Sequence, residues 1–234
     1  MHPEILFPYS TGFVLILATG FVLYVYNKIG HKALLWLGAG LLAVAIESIL
    51  DGYEAGRLLA LSGGSWNNLP QQYLTSMLVI DAVRGFFIII WAAMEVLFAA
   101  DILAVENKYV RLYVPVAIII IGFIETVALN FSGITPLDKR ILISSAGRVL
   151  GILVPVALIT GLYLLKVYRE IRSNSLLFFG LGFFIHGITL PTYSLAKETG
   201  ALALGAWYTF GGVIPAILAA VGAYYLLRES EVVE

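Results

Sequence analysis

YLTSMLVIDAVRGFFIIIWAAMEVLFAAD, residues 73–101, decides the fold. It is apolar for longer than the roughly 20 residues a helix needs to cross the hydrocarbon of a bilayer. Inside it sit Asp81, Arg84 and Glu95. The stretch before it, ALLWLGAGLLAVAIESILDGYEAGR at residues 33–57, has the same character and carries Glu47 and Asp51. A charge at the centre of a bilayer costs several kcal/mol and is rarely left against lipid. These side chains are therefore expected to face the interior of a helical bundle and to find partners there.

Working outward, similar runs fill nearly the whole chain. Of its 234 residues, 60% are hydrophobic and 12% charged, about half the charged share of a soluble domain. Polar, Gly- and Pro-bearing punctuation separates the runs: NKIGHK, SGGSWNNLPQQ, VENKYVR, SGITPLDKR, YREIRSN and AKETGALAL. The pattern predicts an all-α polytopic membrane protein, a single transmembrane domain over residues 1–234. Its seven transmembrane helices lie at about 9–26, 33–61, 73–103, 109–131, 141–167, 175–195 and 205–227. MHPEILFPYS lacks the basic region and cleavage site of a signal peptide, so the first run reads as a span. Pro155, Pro191 and Pro215 fall within spans as expected kinks, and Pro215 after Gly211 and Gly212 could free carbonyls for a site.

Lys and Arg in the loops set the orientation. Eight fall on one side (Lys28, Lys32, Lys108, Arg111, Lys166, Arg169, Arg172, Arg228) and four on the other (Arg57, Lys139, Arg140, Lys197). The chain is thus expected in the cell membrane with its N-terminus outside and its C-terminus cytoplasmic. An internal register also emerges. Residues 17–40 align with 158–182 with one insertion: Thr19-Gly20 meets Thr160-Gly161, Tyr26 meets Tyr168, and Gly38 and Gly40 meet Gly180 and Gly182. Gly85, Ala92 and Ala93 continue it against Gly212, Ala219 and Ala220. This suggests a 3+1+3 parallel repeat with the fourth span as linker.

At about 1.5 Å per residue, Glu47, Asp51, Asp81, Arg84, Glu125, Arg148 and His186 fall at similar depths in the outer half or near the midplane. Glu47 and Asp51 are one turn apart, as are Asp81 and Arg84, while His186, Thr189 and Tyr193 share a face. Convergence of Glu47, Asp51, Asp81 and Glu125 on Arg84 and Arg148 would put four acids against two bases. Such an excess invites protonation, a cation or water. The competing expectation is structural ion pairing, Arg84 with Asp81 and Arg148 with Glu125 or Glu47. Asp51 and Glu54 are expected to reach water, Glu95 to be interfacial, Trp207 to lie in an interfacial belt and Trp91 to be packing.

Several classes drop out. Cysteine is absent, which removes disulfides and thiolate metal sites. There is no basic stripe for nucleic acid, no paired membrane histidines for a bis-histidine haem, and neither HExxH nor GxSxG. No catalytic residue or cofactor is predicted; a bound cation or lipid stays open, and a metal site is undetermined.

Seven spans, an outer N-terminus, deep Arg84 and the ending YYLLRES on span seven resemble the transporter–opsin group of seven-helix proteins and, more faintly, microbial rhodopsins. With Arg228 as anchor, the retinal-lysine position falls near Ala219 and the acid one turn earlier near Pro215. Phe87 and Ile88 stand where a counter-ion and its neighbouring Trp would follow Arg84, and no lysine lies within a span. A retinal Schiff base is excluded, and no residue role carries over. The expectation is a small transporter or permease-like protein whose outward, acidic pocket binds a small polar or cationic solute, with proton coupling. The alternatives are a seven-helix sensor without its own output domain, a structural or electron-transfer subunit of a larger membrane complex and, last, a lipid-directed enzyme. Expected partners are the lipid bilayer, a solute or ion, and a homo-oligomer or a protein at the cytoplasmic loops.

Overall fold

A computed structural model describes residues 2–132 and 136–231; the side chains of Leu129, Asp138 and Ser194 are outside it. Among the described residues the fold is all helical. Seven helical stretches are long and apolar enough to cross a membrane. The helices are α1 (Pro3–Ile29), α2 (Lys32–Ser62), α3 (Gln71–Ile102), α4 (Val114–Asn130), α5 (Leu137–Ala146), α6 (Val154–Ile171), α7 (Asn174–Thr189), α8 (Tyr193–Thr199), α9 (Ala201–Tyr208) and α10 (Ile214–Glu231). The first helix starts at Pro3, six residues before the expected boundary, because Pro3 is well placed in the first turn and Pro8 is accommodated. Spans five and seven are composites of α5 with α6 and of α9 with α10.

Prolines explain where the later spans depart from regular helix. Wider π turns occupy Tyr109–Tyr113, Gly147–Leu153 and Thr209–Val213, each ending two residues before a proline: Pro115, Pro155 and Pro215. A proline has no N–H to offer the carbonyl four residues back, and its ring crowds that carbonyl. A local π turn relieves the crowding without ending the helix. Around Pro191 the chain instead tightens into a 3₁₀ turn at Leu190–Thr192, which ends the predicted sixth span early.

The helical hairpins close alike. Gly30 takes a left-handed conformation at φ 65° and donates its N–H to Tyr26 O. Arg172 does the same at φ 58°, donating to Tyr168 O. Glycine adopts this conformation without strain, whereas an L side chain there is uncommon. Close approaches recur in the same register. A methyl group on Gly38 would stand 2.7 Å from Leu23, and one on Gly180 would stand 2.8 Å from Leu165. Likewise Gly40 abuts Trp91, and Gly182 abuts Leu218.

The core lies between α1, α2, α3, α6, α7 and α10. Val22, Leu34, Leu37, Phe98, Leu164 and Phe179 are almost fully buried there. Span four is the least enclosed, and Ile120, Ile121, Phe123 and Ile124 point away from the bundle. An apolar outer surface of this kind suits lipid.

Candidate functional site

The charged residues form two clusters. In the first, Arg84 on α3 faces three carboxylates of α2. Its NH2 lies 2.9 Å from Glu47 Oε1 and 2.5 Å from Asp51 Oδ1, and its NH1 lies 3.0 Å from Glu54 Oε2. The Glu47 contact is a hydrogen bond; the Glu54 contact is an ion pair without hydrogen-bond alignment at Oε2. Glu47, Asp51 and Glu54 follow at steps of four and three, so one face of α2 presents all three. Tyr208, at the end of α9, donates its hydroxyl to Asp51 Oδ2 at 2.5 Å. Three carboxylates against one guanidinium leave a formal charge of −2.

The second cluster is sealed. Arg148, in the π turn of span five, donates NH1 to Ser144 Oγ at 2.8 Å, and its NH2 stands 3.4 Å from both Asp81 oxygens. Asn130 donates its amide to Asp81 Oδ2 at 2.5 Å. Asp81, Arg148 and Asn130 are all buried. Gly85, one turn along α3 from Asp81, leaves the space Arg148 fills: an added methyl would stand 2.7 Å from its NH1.

The expected six-residue convergence is thereby corrected. Asp81 and Arg84 are adjacent on α3 but serve different neighbours, α2 on one side and the π turn of span five on the other. Arg84 takes its contacts from Glu47, Asp51 and Glu54 rather than Asp81, and Arg148 pairs with Asp81 rather than Glu125 or Glu47. Glu125 sits against Gly147, away from the first cluster. Glu54 is buried against Arg84 instead of reaching water. Glu95, expected at an interface, is 1% exposed, and neither of its oxygens has a hydrogen-bond partner among the described residues.

Beside the first cluster lies a cavity of about 120 Å³. Glu47, Asp51 and Arg84 line it together with Trp91, His186, Tyr193, Trp207 and Tyr208. Of the sequence-predicted residues, Glu47, Asp51, Arg84, His186 and Tyr193 reach the wall, whereas Asp81, Glu125, Arg148 and Thr189 do not. Thr189 turns its hydroxyl back to Ile185 O at 2.8 Å, while its carbonyl accepts from Trp207 Nε1 at 2.9 Å.

The floor is made by Trp91 and His186, whose rings meet edge to face at 5.8 Å. Pro215 has no N–H for the Gly211 carbonyl four residues earlier. That carbonyl lies 2.5 Å from His186 Nδ1. A carbonyl only accepts, so Nδ1 carries the proton and Nε2 of the neutral ring is left as an acceptor. Beyond this floor is a much smaller apolar cavity, about 20 Å³, among Leu15, Leu37, Phe179 and Phe183.

Trp91, Trp207 and Tyr208 entered the sequence reading as packing, belt or unremarked residues. A signal for them was present in one place: Trp91 lies on the Arg84 face of α3, seven residues on. No group of three or more His, Cys, Asp or Glu residues suited to a metal ion occurs among the described residues. No protein-family model, curated protein or solved structure matches the chain.

Proposed function

We propose that this is a small integral membrane transporter that binds a polar or cationic solute in the Arg84 cavity. The observation that carries the reading is the cavity wall: Glu47 and Asp51, with one guanidinium shared among three acids, beside a space of about 120 Å³. A formal excess of two carboxylates in a low-dielectric interior calls for positive charge, supplied by protons, a cation or a cationic solute. Exchange between these would couple solute to protons. In this reading the chain spans the cell membrane with its N-terminus outside, which places the cavity in the outer half, as the distribution of Lys and Arg in the loops supports. The matched hairpin closures at Gly30 and Arg172, and the glycine contacts that recur in one register, support a 3+1+3 repeat with the cavity between its halves.

The test is uptake into proteoliposomes of a panel of small amines and polar cations, with and without an imposed pH gradient. Accumulation that follows the gradient and is lost in Asp51→Asn is expected. Absence of flux across the panel would overturn transport. The small size of the apolar cavity beyond Trp91 and His186 favours one second reading, a ligand sensor, and that reading requires ligand binding without flux.

A further inference from the structure

We infer that the solute is a small ammonium alcohol: a cationic nitrogen with a hydroxyl two or three carbons away, of about four to eight heavy atoms. This rests on the reading of the cavity as a solute site and assigns the class of solute.

The floor sets the first requirement. Trp91 Nε1 and His186 Nε2 are both buried, both residues line the cavity, and neither atom has a hydrogen-bond partner among the described residues. Trp91 offers a donor only, and His186 Nε2, with Nδ1 committed to Gly211, offers an acceptor. Leaving such groups unpaired is costly, about 1–3 kcal/mol each. A single hydroxyl let into the floor would answer both, accepting from Trp91 and donating to His186. An ammonium group cannot accept from Trp91, and a carboxylate cannot donate to His186.

The walls set the second. Tyr193 and Trp207 pack with ring centroids 4.8 Å apart at 62°, and Trp207 and Tyr208 at 4.9 Å and 89°. Trp207 stands tilted to both tyrosines, which makes an aromatic corner of the kind whose ring faces attract an ammonium ion. Glu47 and Asp51 in the same wall add opposite charge. Asp51 also fixes Tyr208 through the hydroxyl bond at 2.5 Å.

Spacing and size join the two. Trp207 and Tyr208 lie about one helical turn from Gly211, whose carbonyl anchors His186, a separation of roughly 5 Å. With the ammonium standing off the rings, within about 6 Å of a centroid, two or three carbons bridge the rest of that distance to the hydroxyl. The volume, about 120 Å³, is close to that of an engineered cavity of about 150 Å³ that takes benzene.

A phosphorylated headgroup is the other source of the same ammonium chemistry. Its ester oxygen has no proton for His186 Nε2, and its phosphate would face the acid cluster.

The experiment is calorimetric titration of the purified full-length protein with choline and ethanolamine. The comparison probes are tetramethylammonium, the neutral isostere 3,3-dimethyl-1-butanol, phosphocholine and sodium. Saturable binding of choline or ethanolamine is expected, with tetramethylammonium about tenfold weaker for the lost hydroxyl, and the neutral alcohol and phosphocholine weaker still. His186→Ala should weaken choline more than tetramethylammonium, a difference that a uniform folding defect cannot produce. Equal binding of choline and its neutral isostere, or tighter binding of phosphocholine, overturns the assignment. So does a response to sodium or another solute alone, but the solute-site reading then stands. If neither this series nor the uptake panel gives a response, both fall.

Discussion

Two arginines, one on α3 and one packed against Gly85 of that helix, carry opposite electrostatic assignments. Arg148 is buried with one acid, one amide and one hydroxyl, in a cluster of no net formal charge that does not line the Arg84 cavity. Arg84 is shared among three acids, stays 17% exposed at its side chain, and borders the cavity. The difference separates structure from ligand chemistry. The balanced cluster calls for no further charge, although Arg148 Nε and Asn130 Oδ1 have no hydrogen-bond partner among the described residues, whereas an unbalanced one beside a void is completed by something that arrives. Both arginines depend on the same helix, since α3 supplies Asp81 to one cluster and Arg84 to the other.

The largest expected effect breaks the sealed side. Arg148→Met leaves Asp81 buried without its cation. Loss of one partner from a buried pair costs about 3–5 kcal/mol. A fall in thermal midpoint in detergent should show it. Asp81→Asn combined with Arg148→Met should recover most of the loss, since the apolar replacement of a whole buried pair is often neutral. A double variant no more stable than Arg148→Met alone would mean that Arg148 supports more than Asp81.

Glu95 sharpens the contrast from a third position. It lies on the Arg84 face of α3, eleven residues on and one turn beyond Trp91, buried with no partner at either oxygen. Neither balance nor a cavity accounts for it. Methionine of similar length removes the unpaired polar group. Glu95→Met should therefore stabilise the protein by about 1–3 kcal/mol, read as a rise in midpoint. A fall instead would show that this carboxyl is held by something the isolated chain lacks.

Asp51→Asn probes the open side. The side-chain amide retains an acceptor for Tyr208, and Arg84 keeps Glu47 and Glu54. The midpoint should move little, by less than about 1 kcal/mol, because the weakened Arg84 contact is offset by removal of one of the two excess negative charges. Choline affinity should fall about tenfold, the equivalent of 1.4 kcal/mol. A stability loss as large as that of Arg148→Met would make the Arg84 cluster structural after all.

The sequence carried seven long apolar helical stretches and the punctuation between them, because length and hydropathy determine these. It did not carry the division into two clusters. Spacing of three or four residues says which side chains share a face, not which neighbouring helix that face meets. Asp81 and Arg84 share a face of α3 and still part company. Glu54 was misplaced because its position near the end of a long span suggested water, while its step of three from Asp51 and seven from Glu47 pointed inward. Trp91 and Tyr208 were illegible for another reason: an aromatic residue in a span suits lipid, core or ligand equally well. Pro215 was the exception, since the carbonyl it leaves without a proline N–H is the one that orients His186.

The smallest effect tests whether a shared helical face is enough to make a pocket residue. Thr189 follows His186 and precedes Tyr193 at helical spacing, and both of those line the cavity. Its own hydroxyl is spent on Ile185 O within the turn, the back-bond a threonine makes inside a helix, and the 3₁₀ turn at Leu190–Thr192 begins just beyond it. What Thr189 contributes is its main-chain carbonyl, which holds Trp207 through Nε1. Thr189→Val keeps that carbonyl and deletes only the intrahelical bond, so choline affinity should stay within about twofold and stability within about 0.5 kcal/mol. Thr189→Pro, in contrast, would disturb the carbonyl's geometry and with it Trp207. A marked loss of affinity in the valine variant alone would place the hydroxyl in the cavity and would mean that the His186 face extends further toward the aromatic corner than its hydrogen bond to Ile185 allows.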